Sequence, residues 1–249
     1  TVADAGHYMV LGEAIREGLG YRDIHLPGSP LHGRFPPGYP FVLAVAGWLG
    51  GLQLFKALSL VATSISVWLA FRIGEGLLGR VGGLVAAAVF AVSPVLLDFS
   101  HRVLSEALFT SLLLLAVIGA GNKGRWWSVG LAIAAAAFLT RTAGLALLVA
   151  VAILALLARD RKRATSALLV GVVCVAGWAL YQQLASPTQP GYLQQLVLLN
   201  PYDPAMGSAG IVDYPIRIAR NLWRYVASEF PGSLGMPTAR RSTVLMTAA

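Results

Sequence analysis

Between residues 53 and 184 the chain is a series of apolar runs interrupted only by short, mostly basic connections. That pattern confines it to a bundle of helices in lipid. A segment that enters a bilayer finds no water for its backbone N–H and C=O groups, so it must close its hydrogen bonds within itself, as a helix does. The runs fall at about 53–71, 81–97, 104–120, 126–140, 142–158 and 164–184. A crossing needs ~20 residues, and the first and last runs reach that alone. Composition agrees. The chain is 57% hydrophobic and 12% charged, where a soluble domain carries about 25% charged residues. The prediction is an all-α, polytopic membrane bundle with amphipathic helices in its external loops. Residues 1–52 form a first external loop, 53–184 about six spans, 185–240 a second external loop, and 241–249 the start of a further span.

The net charge of +8 does not point to nucleic acid, because the basic residues lie between apolar runs. Arg72 with Arg80, Lys123 with Arg125, and Arg159, Arg161, Lys162 and Arg163 flank three alternate connections. Alternation puts all three on one side, which the positive-inside rule makes cytoplasmic. Trp126 and Trp127 suit an interfacial anchor there. The external side then collects residues 1–40, the turn from Asp98 to Glu106, Arg141, and 185–240. Cys174 lies alone in an apolar run, which rules out a disulfide framework. The chain starts at Thr1 in loop-like sequence and ends at Ala249 in a fresh apolar run. A helix before Thr1 and further spans after Ala249 are expected.

Runs 126–140 and 142–158 touch at Thr140-Arg141-Thr142. A single long helix would bury Arg141 at mid-depth at about 2.5–3.5 kcal/mol or more, so a tight hairpin with Arg141 at the membrane face is predicted. Glu106 is followed at once by apolar sequence and therefore sits at the membrane edge. Residues 41–50 are too short to cross and follow a proline-rich turn, which suggests a helix lying at the external surface or dipping in. Within 185–240, Ile216, Ala219, Leu222, Trp223 and Val226 recur at helical spacing with Arg217, Arg220 and Arg224 interleaved. A helix on the membrane surface and a helix packed on the bundle fit equally.

The first forty residues hold most of the remaining chemistry. Asp4 precedes an amphipathic run in which Tyr8, Leu11, Ile15 and Leu19 share a face. On spacing alone Asp4 reads as a helix N-cap. His7, His25 and His32 lie nearby and could join Asp4 around a divalent metal, although no compact ligand spacing supports it. Sequence motifs for nucleotide binding and for a nucleophile elbow are missing, which argues against a soluble nucleotide-sugar enzyme.

Asp4 with Tyr8, the turn Gly18-Leu19-Gly20-Tyr21 and the run Arg34-Phe35-Pro36-Pro37-Gly38-Tyr39-Pro40 resemble, in that order, the first external loop of the GT-C glycosyltransferases. The group that includes bacterial aminoarabinose transferases and protein mannosyltransferases is the nearest in pattern. The resemblance spans roughly residues 1–160. It implies transfer of a sugar from a polyprenyl-phosphate donor to a protein, lipid or glycan acceptor at the outer face of the plasma (inner) membrane. It implies Asp4 as catalytic base, without the second adjacent acid that many members carry. Arg102-Val-Leu-Ser-Glu106 resembles the family's Arg-x-x-x-Glu/Asp element, which contributes to the pocket. Arg141 corresponds to the family's basic residue at this hairpin, near the donor, and its alternative is an interfacial anchor. Arg34 is a second phosphate candidate and Lys56 a third, with Tyr8, His7 and His101 as further site candidates. The competing class is a non-catalytic membrane protein, either a lipid or solute transporter or a structural subunit. A transporter more often breaks its helices at mid-membrane, whereas here the charged groups gather on one face.

Overall fold

The computed structural model describes residues 2–122, 124–185, 197–200 and 203–236. Among them the chain is helical, with no strand beyond two isolated bridges, Arg22 to Leu31 and Leu198 to Ser208. The expected start of a span at 241–249 lies outside the described residues, as does part of 185–240.

Helix α1 (Val2–Arg16) packs along α2 (Gly38–Gly50). Its buried face is Tyr8, Leu11 and Ala14. The helix ends at Arg16, so Leu19, expected on that face, falls outside the helix and is exposed. α2 buries Tyr39, Pro40, Leu43 and Ala44, and leaves Phe41, Val45, Trp48 and Leu49 outward. It has 13 residues, about 20 Å at ~1.5 Å per residue, too short to cross a ~30 Å hydrocarbon core.

Gly51 (φ 67°) separates α2 from α3 (Leu52–Val92). α3 contains one non-helical residue, Gly79 (φ 73°, ψ −174°), where the chain reverses. A straight helix would hold Gly74 and Gly82 about 12 Å apart at ~1.5 Å per residue. Instead a Cβ on Gly74 would come within 2.7 Å of the Gly82 carbonyl oxygen. The two arms therefore fold into a glycine-lined hairpin. The second arm ends at Ser93, held extended (φ −62°, ψ 119°) because Pro94 excludes the α conformation in the residue before it. The run expected as one span at 81–97 is thus broken, and its last residues form a separate short helix, α4 (Pro94–Ser100). α4 meets α5 (Ser105–Ala120) at an angle of 115°.

The predicted break at Arg141 is present. α6 (Arg125–Thr140) and α7 (Gly144–Leu157) flank it, and Arg141 itself is extended (φ −149°, ψ 134°). Asp160 then caps α8 (Arg161–Ala185), accepting from the Arg163 N–H at 3.1 Å. The basic residues Arg161, Lys162 and Arg163 accordingly begin the helix instead of forming the loop before it. α3 and α8 are long and apolar enough to cross a membrane, as is the bent pair α4–α5 taken as one, while α2, α6 and α7 are shorter apolar helices.

Two cores hold the bundle. One joins α5 to α8 through Ala116, Trp127, Leu131, Phe138, Leu148 and Ala167. The other gathers Tyr8, Tyr39, Leu43, Phe55 and Val103. The loop between α1 and α2 is tied to the end of α8, where Gln182 Nε2 donates to the Gly33 carbonyl at 2.7 Å. Tyr21 donates its hydroxyl to the Phe35 carbonyl at 2.8 Å. Within that loop His32 Nδ1 lies 2.9 Å from Asp23, and its Nε2 accepts the Phe35 N–H at 2.9 Å. The ring is thereby held neutral with its proton on Nδ1. Beyond the bundle, α9 (Asp213–Arg224) runs through a π turn (Tyr225–Glu229) into α10 (Phe230–Ser233). It is fastened to the α3–α4 break by Ser93, whose hydroxyl donates to the Ser233 carbonyl at 2.9 Å.

Candidate functional site

The ends of several helices meet at one end of the bundle, and a cleft of about 150 Å³ opens between them. Asp4 and Tyr8 come from α1, four residues apart and so on one face. Phe35 and Pro36 come from the loop before α2, Leu104 and Glu106 from the start of α5, and Thr140 to Ala143 from the α6–α7 hairpin. Close packing brings these pieces together. Gly38 sits against the Leu139 carbonyl and the Thr140 nitrogen, and Gly144 lies on the Phe138 backbone, at separations no side chain would allow.

The polar groups are connected. Arg141 Nη1 lies 2.6 Å from Glu106 Oε1 and donates to Ser105 Oγ at 3.2 Å. Ser105 Oγ is in turn 3.1 Å from the Tyr8 hydroxyl. Ser105 is fully buried, whereas the Arg141 and Glu106 side chains remain 35% and 26% exposed, enough for a ligand to reach them. Glu106 Oε2 is buried and has no hydrogen-bond partner among the described residues. Tyr8 lies tilted against Phe35 and edge-on to Tyr39, with ring centroids at 4.9 and 5.0 Å. Burial pushes the Tyr39 phenol well above its usual range, so it stays neutral.

Of the residues expected from sequence, Asp4, Tyr8, Glu106 and Arg141 converge on the cleft. Asp4 is the third residue of α1, inside the first turn, so it is not the N-cap that spacing suggested. Arg34 stands beside the cleft with its guanidinium 5.2 Å from the Phe35 ring centroid. His7 packs edge-on to Phe35 and to His25. Arg102, His101 and Lys56 do not line the cleft. Arg102 pairs instead with Asp98 at 2.8 Å, one helical turn earlier on α4, and its carbonyl accepts from Ser59 at 2.7 Å. His101 Nδ1 lies 2.9 Å from the Leu97 carbonyl, and Lys56 is exposed on α3. Among the described residues no group of three or more His, Cys, Asp or Glu could hold a metal ion, so the ligand set imagined around His7, His25, His32 and Asp4 is not assembled.

Sequence reasoning did not single out Ser105, Thr140, Thr142 or Phe35 as site residues. The signal for Ser105 was its place between Leu104 and Glu106, in a stretch already marked as functional. Phe35 stood in the proline-rich run already marked by the resemblance, and Thr140 and Thr142 flank Arg141 in the predicted hairpin.

Residues 35–181 match the protein family described as dolichyl-phosphate-mannose-protein mannosyltransferase. The chain belongs to that family. Family membership makes it a membrane glycosyltransferase of GT-C type. The matched stretch contains Glu106 and Arg141, while Asp4 and Tyr8 lie ahead of it. No curated protein and no solved structure matches the chain.

Proposed function

We propose that this protein transfers a sugar from a polyprenyl-phosphate donor to an acceptor hydroxyl at the external face of the plasma membrane, in the cleft around Asp4 and Arg141. One observation carries the reading: a carboxylate on α1 and a guanidinium at the α6–α7 hairpin line the same small cleft at the end of an apolar bundle. A lipid-borne donor laid in the membrane reaches such a place with its phosphate at the surface.

Asp4 accepts the proton of the acceptor hydroxyl. The acceptor oxygen forms a bond to the anomeric carbon, and the bond from that carbon to the phosphate oxygen breaks with its electron pair on the phosphate. The leaving polyprenyl phosphate gains negative charge, which Arg141 stabilises through N–H donors that match a phosphate edge. Arg34, on the far side of Phe35, adds positive potential for the approach. Glu106 lines the cleft and holds Arg141 through Oε1, and so shapes the sugar pocket. Phe35, Pro36 and Leu104 form the apolar walls. On this reading α9 and the π turn after it lie on the outer leaflet with Ile216, Trp223 and Val226 in the lipid and Arg217, Arg220 and Arg224 among headgroups.

Sugar transfer from dolichyl-phosphate mannose by the full-length protein in lipid nanodiscs tests this. Transfer that is lost in Asp4→Asn supports the assignment. A protein that binds neither dolichyl phosphate nor its mannosyl ester contradicts it.

A further inference from the structure

We propose that Ser105 is a positioning residue that sets which edge of the Arg141 guanidinium faces the substrate phosphate. This rests on the transferase reading given above.

The argument is a count of protons. A guanidinium has five N–H groups: one on Nε and two on each Nη. The Arg141 Nη1 nitrogen meets Glu106 Oε1 at 2.6 Å and Ser105 Oγ at 3.2 Å. Both of its protons are therefore spent. Nε and Nη2 have no partner among the described residues. These two nitrogens form one straight edge with two parallel N–H bonds, which is the geometry that grips two phosphate oxygens.

Glu106 alone would not fix that edge. One contact from a single nitrogen leaves the planar group free to turn about it, and a carboxylate also competes for the bidentate edge. A second acceptor on the same nitrogen removes the rotation. Ser105 supplies it from a position with no solvent exposure, at the first residue of α5, where helix packing fixes its backbone. The Tyr8 hydroxyl, 3.1 Å from the same oxygen, holds the serine rotamer in turn. The chain of contacts thus runs from α1 through Ser105 to Arg141. It ties the helix that carries Asp4 to the group that holds the phosphate.

The test uses the full-length protein in nanodiscs, with dolichyl phosphate as the probe and dolichol, which has no phosphate, as its control. Ser105→Ala should weaken dolichyl phosphate binding about tenfold, the scale of one hydrogen bond to a charged group, and leave dolichol binding unchanged. The same substitution in an Arg141→Ala background should change neither. Ser105→Cys, which keeps the buried volume with a poor acceptor, should give the same shift and serves if the alanine protein does not fold. Equal losses in both backgrounds, equal losses for dolichol, or no loss at all would overturn the role of Ser105 while leaving the transferase reading intact. A parent protein that fails to bind dolichyl phosphate would remove that reading itself.

Discussion

Gly38 and Leu139 touch backbone to backbone: a Cβ on Gly38 would stand 2.7 Å from the Leu139 carbonyl oxygen. This contact docks the proline-rich turn that starts α2 onto the last residues of α6, two positions before Arg141. It is where the first loop, with its cleft residues Phe35 and Pro36, meets the hairpin that carries the cation.

Gly38→Ala should therefore act on both stability and function. Overpacking of this kind costs about 1–3 kcal/mol, and here the displaced backbone is the one leading to Arg141. A lowered thermal midpoint in detergent should accompany a raised donor KM. A variant with unaltered melting and kinetics would show that the two segments separate without consequence.

Arg141→Ala should lower transfer by about 10²-fold in kcat/KM, the scale seen when one preorganised donor to developing charge is removed. Arg141→Lys should recover part of it, because the ammonium keeps the charge and loses the two-pronged edge. Unchanged kinetics in the alanine variant would make Arg141 an interfacial anchor.

His32 gives the first loop a pH dependence. Burial outweighs the neighbouring Asp23 and holds its pKa below the ordinary value of 6.5. Above about pH 6.5 the ring is neutral whether the loop is closed or released, and pH has no effect through it. As pH falls below 6.5, the released ring takes up a proton that the closed one resists, so closure weakens until the folded pKa is passed. The protection factor of the Phe35 amide, which donates to His32 Nε2, should fall between pH 7.5 and 5.5 once the intrinsic slowing of exchange is divided out. His32→Gln should abolish that extra dependence.

The proposed topology is checked with single cysteines at Ser29, Thr165 and Ser208 in a Cys174→Ala background. Positions 29 and 208 should react with an impermeant maleimide in intact cells, and 165 should not. The reverse pattern would invert the bundle in the membrane.

What the sequence revealed and what it concealed divide along physical lines. The break at Arg141 was legible because burying a charge in lipid is costly wherever it occurs. The place of Glu106 in the first turn of a helix followed from the apolar run beside it. The reversal at Gly79 and the break at Ser93 were not foreseen as such. Gly74, Gly82 and Gly83 read as ordinary helix residues until their close approach is seen, and the end of the run 81–97 and the start of the turn after it hid a short helix. That helix decides the fate of Arg102: with Asp98 one turn earlier on α4, the nearest carboxylate takes the guanidinium, and the motif supplies Glu106 alone. Ser105 could not be distinguished from any helix-start serine, because its role depends on Tyr8 and Arg141, 97 and 36 residues away.

The central claim is that Asp4 accepts the acceptor proton, and Asp4→Asn tests it most directly. Asparagine preserves the size of the side chain but cannot take up a proton. Mannosyl transfer from dolichyl-phosphate mannose should fall by about 10²–10⁴-fold, with dolichyl phosphate binding and the thermal midpoint retained. Transfer close to that of the parent protein in a folded Asp4→Asn variant would contradict the account.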